Sequence, residues 1–439
     1  MPAPSNAVVV RPGQAVRQPL GRNQVRSFWA AWGGWTLDGM DTFIYALVLV
    51  PALRELLPRS GTAPTPGAIG YYGGILSAVT LVGWGLSLVW GPVADRFGRV
   101  RTLSLTILCY ALFTLLGAFS HNVWELGVYR FFAGIGIGGE WAIGGTLVAE
   151  DWPESRRAAG AGWMHSGFYV GTFIASLANW AIGSRYGWRA MFAFGGLPAL
   201  MVGFVRYGVV EPERWKVKFG DLLGAAAPRS FAMLFDRVYR KRTLLNAVYV
   251  TVSIVGLWAG SVYVPAAVTQ LAERAGYAAR GAARFASWGT MLLSAATIIG
   301  CFLMPPAAER WGRRWTLALF FACMLVFIPL GFGWAFYRTA HALPWFFVCL
   351  FFLGMGGASF AVYTLWLPEQ YPTQCRASAF CFATSVGRFA GAGMTFLVGA
   401  GAAYFHSLGI PVALTAVAFV LGLALVPLGV ETRGRPLPD

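Results

Sequence analysis

The sequence predicts an all-α membrane protein: twelve transmembrane helices arranged as two similar halves of six. Three observations predict it. Only 12% of the residues are charged while 57% are hydrophobic, about half the charge of an ordinary soluble domain. The apolar residues run in stretches of roughly 20 or more, the length at which a helix crosses a bilayer. A short acidic-basic loop, Gly91 to Arg101, lies between two such stretches and returns as Pro305 to Trp315. Strands are not expected, because an open sheet edge in lipid leaves backbone groups without partners.

The loop repeat has a fixed register. Asp95, Gly98 and Thr102-Leu103 match Glu309, Gly312 and Thr316-Leu317, 214 positions later. A second repeat supports it. Glu150, Pro153, Arg157 and Ala158 match Glu369, Pro372, Arg376 and Ala377, 219 positions later. Two independent repeats at nearly one offset imply six spans plus six, and parallel repeats of this kind are a known build for membrane transporters.

Taken in order, residues 1–26 read as a polar, basic N-terminal tail containing Arg11, Arg17, Arg22 and Arg26. With no apolar region of its own, this stretch is not expected to be a cleavable signal peptide. The first half, 27–209, holds spans at 27–51, 70–90, 102–120, 123–149, 158–182 and 188–209. Residues 210–242 form the one long loop, rich in lysine and arginine. The second half, 243–430, holds spans at 243–271, 285–305, 315–334, 344–367, 377–403 and 408–430, and 431–439 form a C-terminal tail.

Charge sets the orientation. Of 34 Lys and Arg residues, 24 fall on the side holding both termini and the long loop, 8 on the opposite side, and 2, Arg130 and Arg388, inside spans. Such a bias places both termini in the cytoplasm of a plasma (inner) membrane protein. The net charge of +16 is therefore loop charge, and no nucleic-acid partner is expected. Six separated cysteines form no close pair or metal spacing, and free thiols are expected. Four scattered histidines make a metal site improbable, and no nucleophile elbow, zinc motif or phosphate loop is present. Neither an enzyme nor a cofactor is expected.

The loop Gly-Pro-Val-Ala-Asp-Arg-Phe-Gly-Arg at 91–99 resembles that of the major facilitator superfamily, and the likeness covers nearly the whole chain. Val210-Glu211-Pro212-Glu213-Arg214-Trp215 and Glu431-Thr432-Arg433-Gly434 resemble the sugar-porter-like branch. Arg130 to Glu140, with Gly134, Gly136, Gly138 and Gly139, and Asp38-Gly39-Met40-Asp41 are similar to proton symporters of phosphate, aromatic acids, lactate and sialate. The resemblance implies a monomer that alternates access to a central site. Drug exporters of the superfamily carry a Gly-Pro pair in span 5; Gly167 to Thr172 has no proline, which counts against export.

Ionisable groups inside a membrane are costly and point to function. Asp38 and Asp41 lie three residues apart on one helix face, and one of them is expected to hold a proton, because two close carboxylates in low dielectric do not both ionise easily. The resemblance puts Asp41 ahead and pairs it with Arg130, which needs a carboxylate in any case. It also puts Glu140 in the central cavity and His165 at a substrate contact, with Tyr169 one turn on. The proton carrier stays open among Asp38, Asp41, Glu140 and His165. Arg388, inside span 11, matches Tyr169 by the 219 offset. It has no obvious acid in its own half, so the substrate itself is a candidate counter-charge, bound through two parallel hydrogen bonds. A salt bridge to Glu140 or Asp41 is the other reading. Tyr249 and Tyr363 are weaker lining candidates. By resemblance, gating falls to Asp95, Arg96, Arg99, Glu150 and Arg157 with their repeats Glu309, Arg310, Arg313, Glu369 and Arg376.

These readings converge on a secondary transporter, a proton-coupled symporter of a small organic anion. Its partners are that anion, protons and the lipid bilayer. A proton:sugar symporter is the nearest alternative, ahead of a transport-inactive nutrient receptor or an exporter.

Overall fold

A run of near-continuous apolar sequence leaves the backbone no solvent partner, so it must satisfy its own amides, and it does so as helix. The computed structural model describes residues 19–219, 230–258, 263–405 and 407–438, and among them no strand occurs. The expected Arg11 and Arg17 of the tail and Arg229 of the long loop lie outside the described residues.

The first helix set comprises α1 (Arg22–Arg59), α2 (Pro66–Leu86), α3 (Trp90–Phe97), α4 (Arg99–Gly117), α5 (Val123–Asp151), α6 (Glu154–Ala178), α7 (Ser184–Phe194) and α8 (Ala199–Gly208). Two short helices, α9 (Glu213–Phe219) and α10 (Ser230–Met233), lie in the long loop. The second set comprises α11 (Arg240–Ser253), α12 (Val264–Arg274), α13 (Ala279–Trp311), α14 (Arg313–Ile328), α15 (Ala342–Gly356), α16 (Ser359–Trp366), α17 (Arg376–Tyr404), α18 (Gly409–Leu414) and α19 (Val417–Leu425). Local chemistry sets several ends. Thr65 caps α2 by accepting from the Ala68 amide at 3.2 Å, with Pro66 in the first turn. Asn122 caps α5 through the Glu125 amide at 2.9 Å, and Glu125 reaches back to the His121 amide at 2.8 Å. Each arrangement gives partners to amides that a helix start leaves free.

Eight of the described helical segments are long and apolar enough to cross a membrane. The expected spans 27–51, 158–182, 188–209 and 243–271 are not among them. The first two carry polar and ionisable side chains such as Asp38, Asp41 and His165. The helix of the third breaks at 195–198, and that of the fourth passes into a π-helical turn at Ile254–Trp258. On α4 the exposed leucines Leu105, Leu108, Leu112 and Leu115 recur every three or four residues. Such a stripe facing no protein is a lipid-facing surface.

Small residues bring the helices together. A Cβ at Gly39 would collide with the Phe168 carbonyl, and one at Gly171 with that of Thr36, so α1 and α6 cross in close contact. The two sets meet where α6 packs on α13 and α16, and where α17 packs on α2, α3 and α5.

Two expectations about the chain ends change. The N-terminal tail stops short of Arg26, because α1 starts at Arg22. Its first turn is tied down: Gln24 donates to the Asp151 carbonyl at 2.7 Å and Ser27 bonds the Asp151 carboxylate. The segment after α19 is likewise held. Thr432 and Leu437 are buried, and the Pro438 carbonyl accepts from Arg376 at 2.7 Å.

Candidate functional site

Where the two helix sets meet they enclose a cavity of about 320 Å³. Aromatic rings form much of its wall: Trp35 from α1, Trp84 from α2, Trp141 from α5, Phe168 and Tyr169 from α6, and Phe360 from α16. Arg388 from α17 and His165 from α6 bring ionisable chemistry to that wall.

Arg388 is 5% exposed, and its guanidinium lies over the Trp84 ring at 4.5 Å and 5.9 Å from that of Trp141. The Nη1 atom is buried without a hydrogen bond, and no carboxylate comes within ion-pair distance of Arg388 among the described residues. The bridge to Glu140 or Asp41 that the sequence left open is therefore not formed. The aromatic faces hold the cation by its attraction to their electron-rich surfaces and leave its hydrogen bonds unspent.

His165 is 3% exposed and boxed by rings: Trp35 at 5.8 Å, Trp141 at 5.5 Å, Tyr169 at 6.1 Å and Phe360 at 6.2 Å, the last nearly parallel at 14°. Trp141 ties the sets together, donating its indole N–H to the Thr364 hydroxyl of α16 at 2.8 Å.

The acids lie behind this wall. Asp41 is fully buried and accepts from Arg130 at 3.2 Å; Arg130 also donates to Thr114 at 3.2 Å and lies 4.5 Å from the Tyr45 ring. Neither carboxyl oxygen of Asp38 has a hydrogen-bond partner among the described residues. Glu140 accepts from Thr106 at 2.8 Å through one oxygen, and its other oxygen is unpaired. Asp38 lies within electrostatic range of Glu140, Asp41, Arg388 and Arg130. The expected position of Glu140 in the cavity is corrected: its helix turns it toward α4 and the backbone of Gly34 instead.

Tyr249 and Tyr363 are corrected too. Tyr249 donates to the Leu425 carbonyl at 2.7 Å and stacks on Trp366, and Tyr363 donates to the Tyr249 carbonyl at 2.7 Å. Both hydroxyls are used within the second set, and Phe360, one turn before Tyr363, reaches the cavity in their place.

At the end of the molecule carrying both repeated loops, the sets are joined by charge. Arg99 clasps Glu150 through two bonds of 2.9 and 3.0 Å, and Glu150 also accepts from Arg376 at 2.6 Å. Arg313 clasps Glu369 in the same way at 2.9 Å, and Arg157 approaches Glu369 at 3.6 Å. Asp95 accepts from the Ala377 and Ser378 amides at the start of α17. Glu309 does not repeat this: its side chain is 54% exposed and pairs with Arg313 on its own side at 3.2 Å. Arg96 and Arg310 are exposed and outside the cluster. The glutamates Glu211 and Glu431, quoted above only for their resemblance, cap the helices after the repeats. Glu211 accepts from the Arg99, Val100 and Arg101 amides at 2.7–3.2 Å, and Glu431 from those of Arg313 and Arg314 at 3.0 and 3.3 Å.

Sequence reasoning missed the aromatic wall. Its signal was present: Trp35, Trp84 and Trp141 lie within apolar runs rather than only at their ends, where interfacial tryptophans collect.

Residues 31–283 match the model of the Major Facilitator Superfamily. The chain is 31% identical to the "Probable 4-methylmuconolactone transporter" of Cupriavidus pinatubonensis, with 94% of this chain and 91% of that protein covered. It is 29% identical to the cis,cis-muconate transport protein of Acinetobacter baylyi, covering 73% and 76% respectively. The solved structure of the proton:xylose symporter XylE, bound to 6-bromo-6-deoxy-D-glucose, superposes with a TM-score of 0.78 at 19% identity, covering 94% of this chain and 98% of that one. At that identity the likeness is one of fold.

Proposed function

The chain belongs to the Major Facilitator Superfamily, and from that premise we propose that it is a proton-coupled symporter of a small organic anion: a monocarboxylate, an aromatic acid or a sugar acid. Family and relatives make it an integral membrane transporter rather than an enzyme. One observation carries the anion: Arg388 lines the cavity with an unpartnered Nη1 and no carboxylate within ion-pair distance among the described residues. A buried guanidinium without an anion is costly, and a substrate carboxylate removes that cost. The relatives named for muconate and methylmuconolactone, both organic acids, support the reading.

The architecture we propose is twelve spans in halves 27–209 and 243–430, joined by the loop 210–242, with both termini in the cytoplasm of an inner membrane and the monomer as the working unit. The charge cluster at Glu150, Glu369 and Asp95 then closes the cytoplasmic side, and alternating access requires it to break. Coupling is assigned to Asp41, Asp38, Glu140 and Arg130. A proton taken up by one of these acids loosens the hold on Arg130 or alters the field at Arg388, so substrate and proton are felt together.

The test is binding and uptake with Arg388 variants. In purified protein, organic acids should raise the melting temperature of wild type and leave Arg388→Ala unmoved. Arg388→Lys keeps the charge and loses the two-point geometry; with ~1.5–3 kcal/mol in a charge-assisted bond, its binding should weaken about 10- to 100-fold. Acid uptake into proteoliposomes should follow an imposed proton gradient. A neutral sugar that binds wild type and Arg388→Ala equally well would put sugar symport in place of the anion.

A further inference from the structure

Two residues of the cavity wall carry polar atoms that the anion reading does not use. Trp35 is 4% exposed and its indole Nε1 is buried without a partner; the same is true of Nδ1 of His165, 3% exposed. The two rings lie 5.8 Å apart, side by side in the cavity wall. A buried, unpaired donor or acceptor is costly, and the two rings that carry these groups are neighbours. Among the described residues neither atom finds a partner, so the cost stands.

The surroundings also have a shape. Trp35 stacks on Trp141 at 21°, and the imidazole of His165 lies at 14° to Phe360. Flat apolar faces in such a space favour a flat, conjugated occupant through offset stacking. Trp141 is the common neighbour of the two polar points. Its distances of 5.9 Å to the Arg388 guanidinium and 5.5 Å to the His165 ring bound their separation at about 11 Å. A separation no greater than that is within reach of one small planar molecule. At about 320 Å³ the cavity stands near the lower end of ligand sites, which suits a single ring.

We propose that Trp35 and His165 form a second polar subsite, which takes an oxygen substituent of a planar, conjugated acid whose carboxylate is held by Arg388. The inference rests on the anion reading above and adds the part of the substrate that the pair recognises. The indole N–H donates to the oxygen. The imidazole accepts from it where it is a hydroxyl and donates to it where it is a carbonyl or carboxylate oxygen. Trp35 and His165 thereby select among acids that Arg388 treats alike, because an acid without the second oxygen leaves both groups unpaired.

The experiment measures, by calorimetry on the purified full chain in lipid nanodiscs, the affinities of benzoate, its monohydroxy and monocarboxy derivatives, and cyclohexanecarboxylate. At least one substituted benzoate should bind wild type about 5- to 10-fold more tightly than benzoate, the worth of one net hydrogen bond. Trp35→Phe and His165→Phe, each of which keeps a ring, should bring that ratio close to one. The two variants are read separately, so one that fails to fold leaves the other decisive. The proposal is overturned if no substituted benzoate exceeds benzoate, if the ratio survives in a folded variant, or if the non-planar cyclohexanecarboxylate binds as tightly as benzoate. In those cases binding that is still lost in Arg388→Ala leaves the anion reading standing. If no acid binds wild type at all, the anion reading fails first and the second subsite falls with it.

Discussion

The carboxylate of Asp95 in α3 accepts from the Ser378 amide at 2.9 Å and from its hydroxyl at 2.6 Å, at the first turn of α17. Asp95 thus sits at the positive end of a 29-residue helix from the other helix set, where a negative charge is favoured. Its repeat, Glu309, stays on its own side with Arg313. By the 219 offset the counterpart of Ser378 is Ala159, which has no hydroxyl to offer. The paired loops therefore make an asymmetric latch.

That asymmetry can be read from two native thiols. Cys375 and Cys381 flank the latch and are both 0% exposed. Asp95→Asn should raise the rate at which a membrane-permeant maleimide labels them by about 10-fold, the effect of losing one charge-assisted bond. Glu309→Gln should leave labelling near the wild-type rate. Equal effects from both substitutions would mean that the latch is symmetric after all.

The two acids of α1 should differ in sign. Asp41 is paired with Arg130, and removing one partner of a buried pair costs ~3–5 kcal/mol, so Asp41→Ala should lower the melting temperature markedly. Asp38 has no hydrogen-bond partner among the described residues, and Asp38→Asn, which replaces an unpaired carboxyl with an amide of the same shape, should hold or raise it. In transport, Asp41→Asn should abolish accumulation against a gradient while counterflow exchange survives. Accumulation that persists would move the proton to Asp38, Glu140 or His165.

The glycine of each repeat is a backbone requirement. Gly98 has φ +105° and ψ 157°, a conformation open in practice only to glycine, and a Cβ there would run into the Glu211 carboxylate. Gly98→Ala should cost ~1–3 kcal/mol and disturb the Glu211 cap. In a Glu211→Ala background the cap contribution is already gone, so the further cost of Gly98→Ala should shrink to the backbone part. Thermal melts of the single and double variants test this non-additivity.

At the opposite end, beyond the expected span of α1, the Glu55 carboxyl is held below its usual range by the Trp188 indole, and then by Arg189 and Arg59. A lowered folded-state value means that the contribution is present above the ordinary carboxylate range and is lost as pH falls through the folded value. The melting-temperature gap between wild type and Glu55→Gln should therefore be widest near neutrality and close toward acid pH. The group is partly exposed, so the gap is small, and a gap that widened in acid would contradict the assignment.

How much of this was legible in the chain depends on how local the signal is. Helical membrane character follows from composition and run length, which the sequence states outright. The repeats at 95/309 and 150/369 are visible as strings, and the glycines at 98 and 312 mark turns that few other residues can make. The Asp41–Arg130 contact was expected too: a buried guanidinium calls for an acid, and the family resemblance pointed to Asp41. The facing of each side chain was not readable. Successive helical residues point about 100° apart, so a small rotation of a helix about its axis decides which residue meets the cavity. That rotation is set by the packing of α1 on α6 and α5, of α17 on α2 and of α16 on α6, between residues far apart in the chain. It turned Phe360 inward and Tyr363 away, put Glu140 behind the wall while its neighbour Trp141 faces the cavity, and left Glu309 in the open. The sequence by itself determined which groups the membrane would have to accommodate. Tertiary packing decided which of them find hydrogen bonds within the protein and which, like Arg388 Nη1, Trp35 Nε1 and His165 Nδ1, find none among the described residues.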